Sequence, residues 1–332
     1  MPSKTTITTP ALIQGLLSLK GQHGDFRDGL AANGYAVVKG AIPRDRAIRY
    51  QQKAFDWLKS FGTALDIDNP ETWKAENLPV QSKLNTFDNY CVVHEKFMWD
   101  ARMEPGVVDS FAKIWGTDQL LVSFDSLNVT FPNRKDKPAR APWPHIDQSP
   151  MKRGVHCIQG IINLSPAGAE DGSLMLIPGS NVLQDEFFDT QTDPDTWEAK
   201  DWRRFTEQEM EWWTKKGLRP IKVHAEPGDL ILWDSRTVHW GGEPTEKSNV
   251  VRTVIYASYS PARLATPETL KEKQRVFSLY GATTHWAHDN MYLRPLLAHL
   301  PDDSLDPRNR DEPREKPELS DKLLKLAGVK PY

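Results

Sequence analysis

Cysteine, net charge and long apolar runs are all scarce in this 332-residue chain. Its two cysteines, Cys91 and Cys157, cannot build a disulfide framework and are too few for a thiolate zinc site. The 42 basic and 45 acidic residues leave a formal charge of −3, which disfavours nucleic-acid binding. No run approaches the roughly 20 apolar residues that cross a bilayer, and residues 1–6 lack the apolar run of a signal peptide. The sequence therefore predicts that the protein has no nucleic-acid or membrane partner. It also predicts a reduced, cytoplasmic location.

Two common catalytic signatures are also missing. Neither a glycine-rich phosphate loop nor a nucleophile elbow stands at the end of a strand-like run. Nucleotide-dependent chemistry and serine hydrolysis therefore lose support. The strand-like runs also follow one another without a helix between each, which disfavours a parallel α/β fold.

The second half of the chain is rich in short apolar runs with β-branched and aromatic residues, bounded by Pro, Gly, Asn or Asp. These runs, with an early one at 35–39, are the predicted strands: 120–131, 155–164, 173–177, 221–224, 230–233 and 250–259. Helical spacing or helix-start signals predict the helices: 25–33, 44–61, 104–115, 197–216, 267–280 and 319–326. The predicted fold class is mainly β with helical additions, a sandwich or barrel flanked by helices. We expect one domain over 1–300 and a charged, proline-rich tail over 301–332, with 301–316 as a solvated linker.

His145-Ile146-Asp147 is the motif with the most chemical content. In an extended segment, residues i and i+2 face the same side about 6–7 Å apart, so imidazole and carboxylate can converge on one metal ion. A second histidine would complete the two-histidine, one-carboxylate set typical of non-haem Fe(II). The triplet alone is weak evidence, because His23-Gly24-Asp25 repeats it before a predicted helix, where we interpret it as surface.

The segment around residues 227–256 strengthens the metal hypothesis. The turn Pro227-Gly228-Asp229 leads into an apolar strand that delivers His239, and the next strand carries Arg252. A hairpin between them could bring Arg252 back near the metal. A guanidinium among valines and isoleucines needs a carboxylate, which it grips with two hydrogen bonds. That carboxylate could belong to a ligand or to a neighbouring Asp or Glu.

Together these motifs resemble the phytanoyl-CoA dioxygenase family of Fe(II)- and 2-oxoglutarate-dependent oxygenases. The resemblance covers about residues 25–260. It rests on the following segments: Pro144-His145-Ile146-Asp147, Asp171-Gly172-Ser173, Ile177-Pro178-Gly179-Ser180, Pro227-Gly228-Asp229, His239 and Arg252. Two positions depart from the family pattern. Trp143 stands one place earlier than the family's tryptophan, and Asn181 replaces a histidine.

The resemblance implies a double-stranded β-helix, a cupin-like jelly roll, with its core at about 120–260 and helices on both sides. It implies that His145, Asp147 and His239 are the catalytic ligands of Fe(II). Arg252 would hold the distal carboxylate of 2-oxoglutarate, the co-substrate used with O₂. Asn128, and with less support Gln159, match positions that face the co-substrate.

The implied reaction oxidises an unactivated C–H bond of a small molecule by hydroxylation, desaturation or ring formation, and releases succinate and CO₂. We favour a carboxylate-bearing or secondary-metabolite substrate over an acyl-CoA. A CoA would need a basic cleft, and four residues could form either that cleft or a solvated loop: Arg134, Lys135, Lys137 and Arg140. Trp99, Trp143 and Trp286 are candidates for pocket walls or for core. Two alternatives stay open, namely a metal-binding jelly roll that does not use 2-oxoglutarate and a non-catalytic binding protein.

Overall fold

The computed structural model describes residues 11–19 and 21–332. Residues 1–6, on which the signal-peptide prediction depends, lie outside that range. The helices are α1 Phe26–Asn33, α2 Arg44–Lys59, α3 Lys96–Arg102, α4 Pro105–Trp115, α5 Ser180–Gln191, α6 Glu207–Lys215, α7 Pro267–Ser278 and α8 Asp321–Leu326. The strands are β1 Tyr35–Val38, β2 Thr86–Phe87, β3 Leu120–Val122, β4 Leu127–Thr130, β5 His145–Ile146, β6 Ile158–Asn163, β7 Ser173–Leu176, β8 Arg203–Arg204, β9 Ile221–Lys222, β10 Leu230–Asp234, β11 His239–Gly242, β12 Arg252–Tyr256 and β13 Tyr259–Pro261.

Two antiparallel sheets form the centre of the molecule. One has the order β1-β10-β6-β12-β4-β2, and the other has the order β8-β5-β11-β7-β9. Successive strands from β4 to β12 switch repeatedly between the two sheets, so four strands of each sheet make a jelly roll. The predicted fold class, a double-stranded β-helix with flanking helices, is confirmed.

Successive side chains of the central strands point to opposite faces of the sheet, and this divides the hydrophobic core into separate clusters. On β10, Leu230 and Leu232 pack towards the helices, whereas Ile231 and Trp233 belong to the cluster between the sheets. This period of two places every second side chain of a central strand in the interior of the roll. A third cluster around Phe187 and Trp213 covers the outer side of the second sheet.

Local signals explain where several helices begin and end. Asp25 caps α1 by accepting from the Arg27 N–H, and Gly34 ends it at a φ of 75°. Thr206 and Glu209 form a capping box at the start of α6. The predicted helices at 25–33, 44–61, 104–115 and 267–280 agree with the structure to within a few residues.

Four local predictions need correction. The predicted strand 120–131 is divided into β3 and β4, and 250–259 into β12 and β13, because in each case the two halves pair in different sheets. Of the predicted helix 197–216, only Glu207–Lys215 is helical, and Arg203–Arg204 adds a strand beside β5. The sequence reasoning missed α5. His239 and Arg252 are not joined by a hairpin, since β11 and β12 lie in different sheets.

The segment 301–316 is mostly exposed, as predicted, but several contacts bind it to the body of the protein. The Tyr90 hydroxyl donates to the Asp306 carboxylate at 2.7 Å, and Asp306 is buried. The Glu315 carbonyl accepts from the Lys96 N–H at 2.7 Å, and Glu315 also pairs with Lys53. The charged residues of this segment therefore bind it to α2 and the segments near α3. Among the described residues, we find no helix with the length and hydropathy of a membrane span.

Candidate metal centre

Two histidines meet across a strand pair at the mouth of the roll. His145 on β5 and His239 on β11 are directly opposite each other in the antiparallel register, with ring centroids 4.3 Å apart. Residues paired in this way project to the same face of a sheet. The pairing therefore sets the spacing of the two imidazoles.

Asp147 completes the set from two residues beyond His145, as the i, i+2 spacing predicted. Its N–H donates to the Ser235 carbonyl at 2.9 Å, which fixes the chain as it leaves β5. Its carboxylate oxygens lie 3.6 Å from Nε2 of His145 and 3.2 Å from Nε2 of His239. The candidate ligand atoms of the three residues all lie within 4.8 Å of one another, and all three residues are buried.

The hydrogen bonds of both rings leave Nε2 free to bind a metal. Nδ1 of His145 lies 3.1 Å from the Trp143 carbonyl, and Nδ1 of His239 lies 2.8 Å from the Thr237 carbonyl. A carbonyl can only accept, so Nδ1 carries the proton and Nε2 of a neutral ring presents a lone pair. That lone pair faces a carboxylate oxygen, an arrangement that a cation between them would stabilise. Two imidazoles and one carboxylate suit Fe(II), so the residues present fit this metal.

The environment keeps two of these residues in their metal-binding forms. Burial lowers the pKa of His145 to about 3, and the nearby His239 adds to the lowering. Burial by itself would raise the pKa of Asp147, but the imidazoles of His145, His285 and His239 outweigh it and hold that pKa well below its usual range. At neutral pH, therefore, His145 is neutral and Asp147 is ionised.

Two neighbours fix the orientation of this set. Nε2 of Gln159 donates to Oδ2 of Asp147 at 2.9 Å. The indole of Trp143 stacks on the His145 ring, with centroids 4.2 Å apart and planes inclined by 7°. Gln159, which the resemblance placed at the co-substrate, thus contacts the Asp147 carboxylate. Trp143, despite its shifted position in the motif, contacts the first histidine.

Arg252 lies in the same cavity, on the other sheet. Nη1 donates to Oδ1 of Asn128 at 2.8 Å, and the Thr130 hydroxyl donates to the same oxygen at 3.0 Å. Across the described ranges, no carboxylate lies within 4.0 Å of the guanidinium, so the alternative of a structural salt bridge is not supported. A Cβ on Gly172 would approach Cδ of Arg252 to 3.2 Å, which explains glycine there. The guanidinium of Arg252 is therefore held in place by the side-chain amide of Asn128 and has no anionic partner among the described residues.

One cavity of about 680 Å³ joins these groups. His145, Asp147 and His239 line it together with Arg252, Asn128 and Gln159. Trp143 and Trp286 are walls of the cavity, as the sequence suggested. Trp99 is not, because it is buried in the helical core and donates from Nε1 to His94 at 3.2 Å.

The four basic residues before the metal motif all have partners. Arg134 pairs with Asp136, Lys135 with Glu71, and Arg140 with Glu243. Nζ of Lys137 donates to Oδ1 of Asn85 at 2.6 Å. Residues 133–142 form no helix or strand and are mostly exposed, which agrees with the solvated loop that the sequence offered, and the local partners of the four basic residues disfavour the phosphate-binding cleft.

Sequence reasoning missed several residues that line the cavity. Thr130 could have been found, because it follows Asn128 by two residues on one strand and so shares its face. Asp125, Asp201 and Trp202 carried no such signal, because they lie in connections between elements. The lining residues that sequence reasoning missed include Asp125, Ser126, Asp201, Trp202 and Arg294.

Comparisons with known proteins agree with this geometry. The family model described as phytanoyl-CoA dioxygenase (PhyH) matches residues 30–251. The Ava biosynthesis cluster protein O of Aspergillus versicolor is 39% identical over 274 residues, which cover 81% of this chain and 88% of that protein.

Two solved structures show a similar fold. One is the epimerase SnoN in complex with Fe³⁺, alpha ketoglutarate and nogalamycin RO, with a TM-score of 0.51 and 17% identity over 84% of this chain and 96% of that one. The other is GlcNAc Inducible Gene 2 from Candida albicans, with a TM-score of 0.58 and 12% identity over 97% of this chain and 80% of that one. The fold, the family match and the Aspergillus relative lead to one conclusion: the chain belongs to the phytanoyl-CoA dioxygenase family, and it is a non-haem dioxygenase that uses Fe(II), 2-oxoglutarate and O₂.

Proposed function

We propose that this enzyme oxidises an unactivated C–H bond of a small secondary-metabolite substrate and converts 2-oxoglutarate and O₂ to succinate and CO₂. The observation that carries the proposal is the placement of two complementary groups in one cavity. A buried His/Asp/His set lies on one sheet, and an arginine without an anionic partner lies on the facing sheet.

The residues would divide the work as follows. His145, Asp147 and His239 would hold Fe(II), and Gln159 would keep the Asp147 carboxylate in position. Arg252 would bind the distal carboxylate of 2-oxoglutarate, with Asn128 fixing the guanidinium. Bound Fe(II) would supply the activation of O₂ that couples decarboxylation of 2-oxoglutarate to oxidation of the substrate.

Two observations support a biosynthetic small molecule over an acyl-CoA. The Aspergillus relative is named for a biosynthesis cluster, and the epimerase with the similar fold is in complex with nogalamycin RO. The basic residues that a CoA phosphate would need are bound to acidic and amide partners. A cytoplasmic location without nucleic-acid partners remains a prediction from composition.

The co-substrate site is tested by titrating 2-oxoglutarate into the anaerobic Fe(II) enzyme and following the visible absorption band that the keto acid gives with Fe(II). We expect Arg252→Leu to weaken 2-oxoglutarate binding about 100-fold. The reason is that losing one partner of a buried charge pair costs about 2–5 kcal/mol.

Arg140→Leu is the matched control, because Arg140 also lines the cavity but is already paired with Glu243. Its dissociation constant should change by less than about threefold, as for a partly exposed ion pair. Wild-type affinity in Arg252→Leu would overturn the assigned role. A wild-type enzyme that binds iron without giving the band would instead favour the jelly roll that does not use 2-oxoglutarate.

Gln159 provides a test of how the metal ligand is oriented. Gln159→Leu removes the hydrogen bond to Oδ2 of Asp147, and loss of such a contact typically lowers metal affinity about 10- to 100-fold. Calorimetric titration with Mn²⁺ measures this without turnover. Gln159→Glu should lose less affinity than Gln159→Leu, because the added negative charge attracts Mn²⁺ and a protonated Glu can still donate to Asp147. Unchanged Mn²⁺ affinity in Gln159→Leu would contradict the role.

A further inference from the structure

Asp125 places a buried carboxylate in the cavity, where the charges of Arg102 and Arg294 act on it from beyond ion-pair distance. The residue follows β3, is 7% exposed and lines the cavity. Its Oδ1 accepts from the Ser126 N–H at 2.7 Å, and its main-chain carbonyl accepts from Arg102 at 2.7 Å. In residues 11–19 and 21–332, neither a basic nitrogen within 4.0 Å of this carboxylate nor a hydrogen-bond donor to Oδ2 is present.

The other buried acids of the cavity already have assigned partners. Asp201 accepts from Lys152 at 2.6 Å, and Asp147 belongs to the metal set. Arg294 also lines the cavity, but its charge is engaged by Asp88 at 2.7 Å. Once Arg252 binds the co-substrate, Asp125 is the buried charge of this cavity that still lacks a close partner among the described residues. A buried carboxylate is costly unless a cation or a strong donor reaches it.

The segment that carries Trp286 is hydrogen-bonded to the residue before Asp125. The Thr283 N–H donates to the Phe124 carbonyl at 2.8 Å, and the Phe124 N–H donates to the Thr283 hydroxyl at 3.0 Å. These two hydrogen bonds fix the 283–286 chain beside residue 125. The same chain carries Trp286, which is 1% exposed, lines the cavity and has an Nε1 donor with no acceptor in the described structure.

We infer that the substrate carries an organic cation, such as a protonated amine, amidinium or guanidinium, that binds Oδ2 of Asp125. A flat or aromatic scaffold beside the cation would pack against the indole walls of the cavity. This inference rests on the proposed function and names the substrate class for the same cavity. The carboxylate-bearing or secondary-metabolite substrate that the sequence favoured stays a prediction, since a cationic group is compatible with either.

Three indole probes of similar size test the inference: tryptamine as the cation, N-acetyltryptamine as the neutral compound and indole-3-propionate as the anion. Each is titrated calorimetrically into the anaerobic enzyme loaded with Fe(II) and 2-oxoglutarate. We expect tryptamine to bind at least about tenfold more tightly than the other two, as a charge-assisted hydrogen bond implies. Asp125→Asn keeps the size of the side chain and should abolish that preference.

Asp118→Asn is the matched control, since it removes one negative charge from an exposed position outside the cavity. It should retain the preference for tryptamine. The inference is overturned if tryptamine does not bind at millimolar concentration, if wild type shows no preference, or if the preference survives in Asp125→Asn. The visible band in the same samples separates this from the proposed function: a band without cation preference rejects only the inference, whereas its absence rejects the 2-oxoglutarate site.

Discussion

Asp147→Ala is expected to reduce succinate formation from 2-oxoglutarate to background. The substitution removes the carboxylate that faces Nε2 of both His145 and His239, so only the two imidazoles would be left to hold Fe(II). It also leaves the buried amide of Gln159 without its acceptor, which disturbs the ligand shell further. Succinate measured by mass spectrometry with saturating Fe(II) and 2-oxoglutarate gives the result.

The second His-x-Asp triplet of the chain supplies the control. Asp25 caps α1 and pairs with Arg27 at the surface, so Asp25→Ala should cost about 1 kcal/mol of stability. It should nevertheless leave succinate formation near the wild-type rate. Wild-type turnover in Asp147→Ala would mean that the buried set is not the catalytic metal site.

Lys273→Met is expected to stabilise the fold at neutral pH. Lys273 on α7 is fully buried, donates to the Val122 carbonyl at 2.5 Å and lies 4.0 Å above the Phe124 ring. Burial, with a contribution from Arg102, lowers the pKa of Lys273 to about 7. A lysine pKa near 10.4 in the unfolded chain makes burial cost on the order of 4 kcal/mol at pH 7, less about 1 kcal/mol for the hydrogen bond.

The pH dependence has a definite sign. Between pH 7 and about 10.4 the unfolded chain holds a proton that folded Lys273 has lost, so this residue makes wild-type stability rise with pH. The advantage of Lys273→Met should therefore be largest at or below pH 7 and shrink towards pH 10. Lys271→Met, at an exposed position of the same helix, should show no such trend. Urea unfolding at pH 7 and pH 9.5 measures both, and a pH-independent difference for Lys273→Met would contradict the lowered pKa.

The sequence predicted those parts of the fold that depend on local chemistry. Helix α4 begins with Pro105 and ends at Gly116, and both signals act within one turn of the chain. Sheet membership was not predictable in the same way. The run 120–131 reads as one strand, but Ser123–Ser126 lets β3 and β4 pair with different partners. The partners that separate them, β13 for β3 and β12 for β4, are more than 100 residues away, so no window of the sequence contains that information.

The same distinction between local signals and long-range pairing applies to the residues of the candidate site. His145 and Asp147 followed from a period of two on one strand, and His239 from the turn and strand before it. The relation of Arg252 to Asn128 depends on the pairing of β12 with β4, whereas the resemblance implied only that both residues face the co-substrate. Asp125 and Trp286 come together through main-chain bonds between residues 124 and 283, which have no sequence signature.

The division of the site between two sheets makes the co-substrate a thermodynamic cross-link. A 2-oxoglutarate molecule held as proposed would touch β5 and β11 through the metal and β12 through Arg252, and so join layers that otherwise meet through apolar side chains and polar contacts such as that of Gln159 with Asp147. Ligand that binds only the native state adds about 1.4 kcal/mol of stability per tenfold excess over its dissociation constant. The resistance of this enzyme to unfolding and proteolysis would thus rise with the free concentration of 2-oxoglutarate.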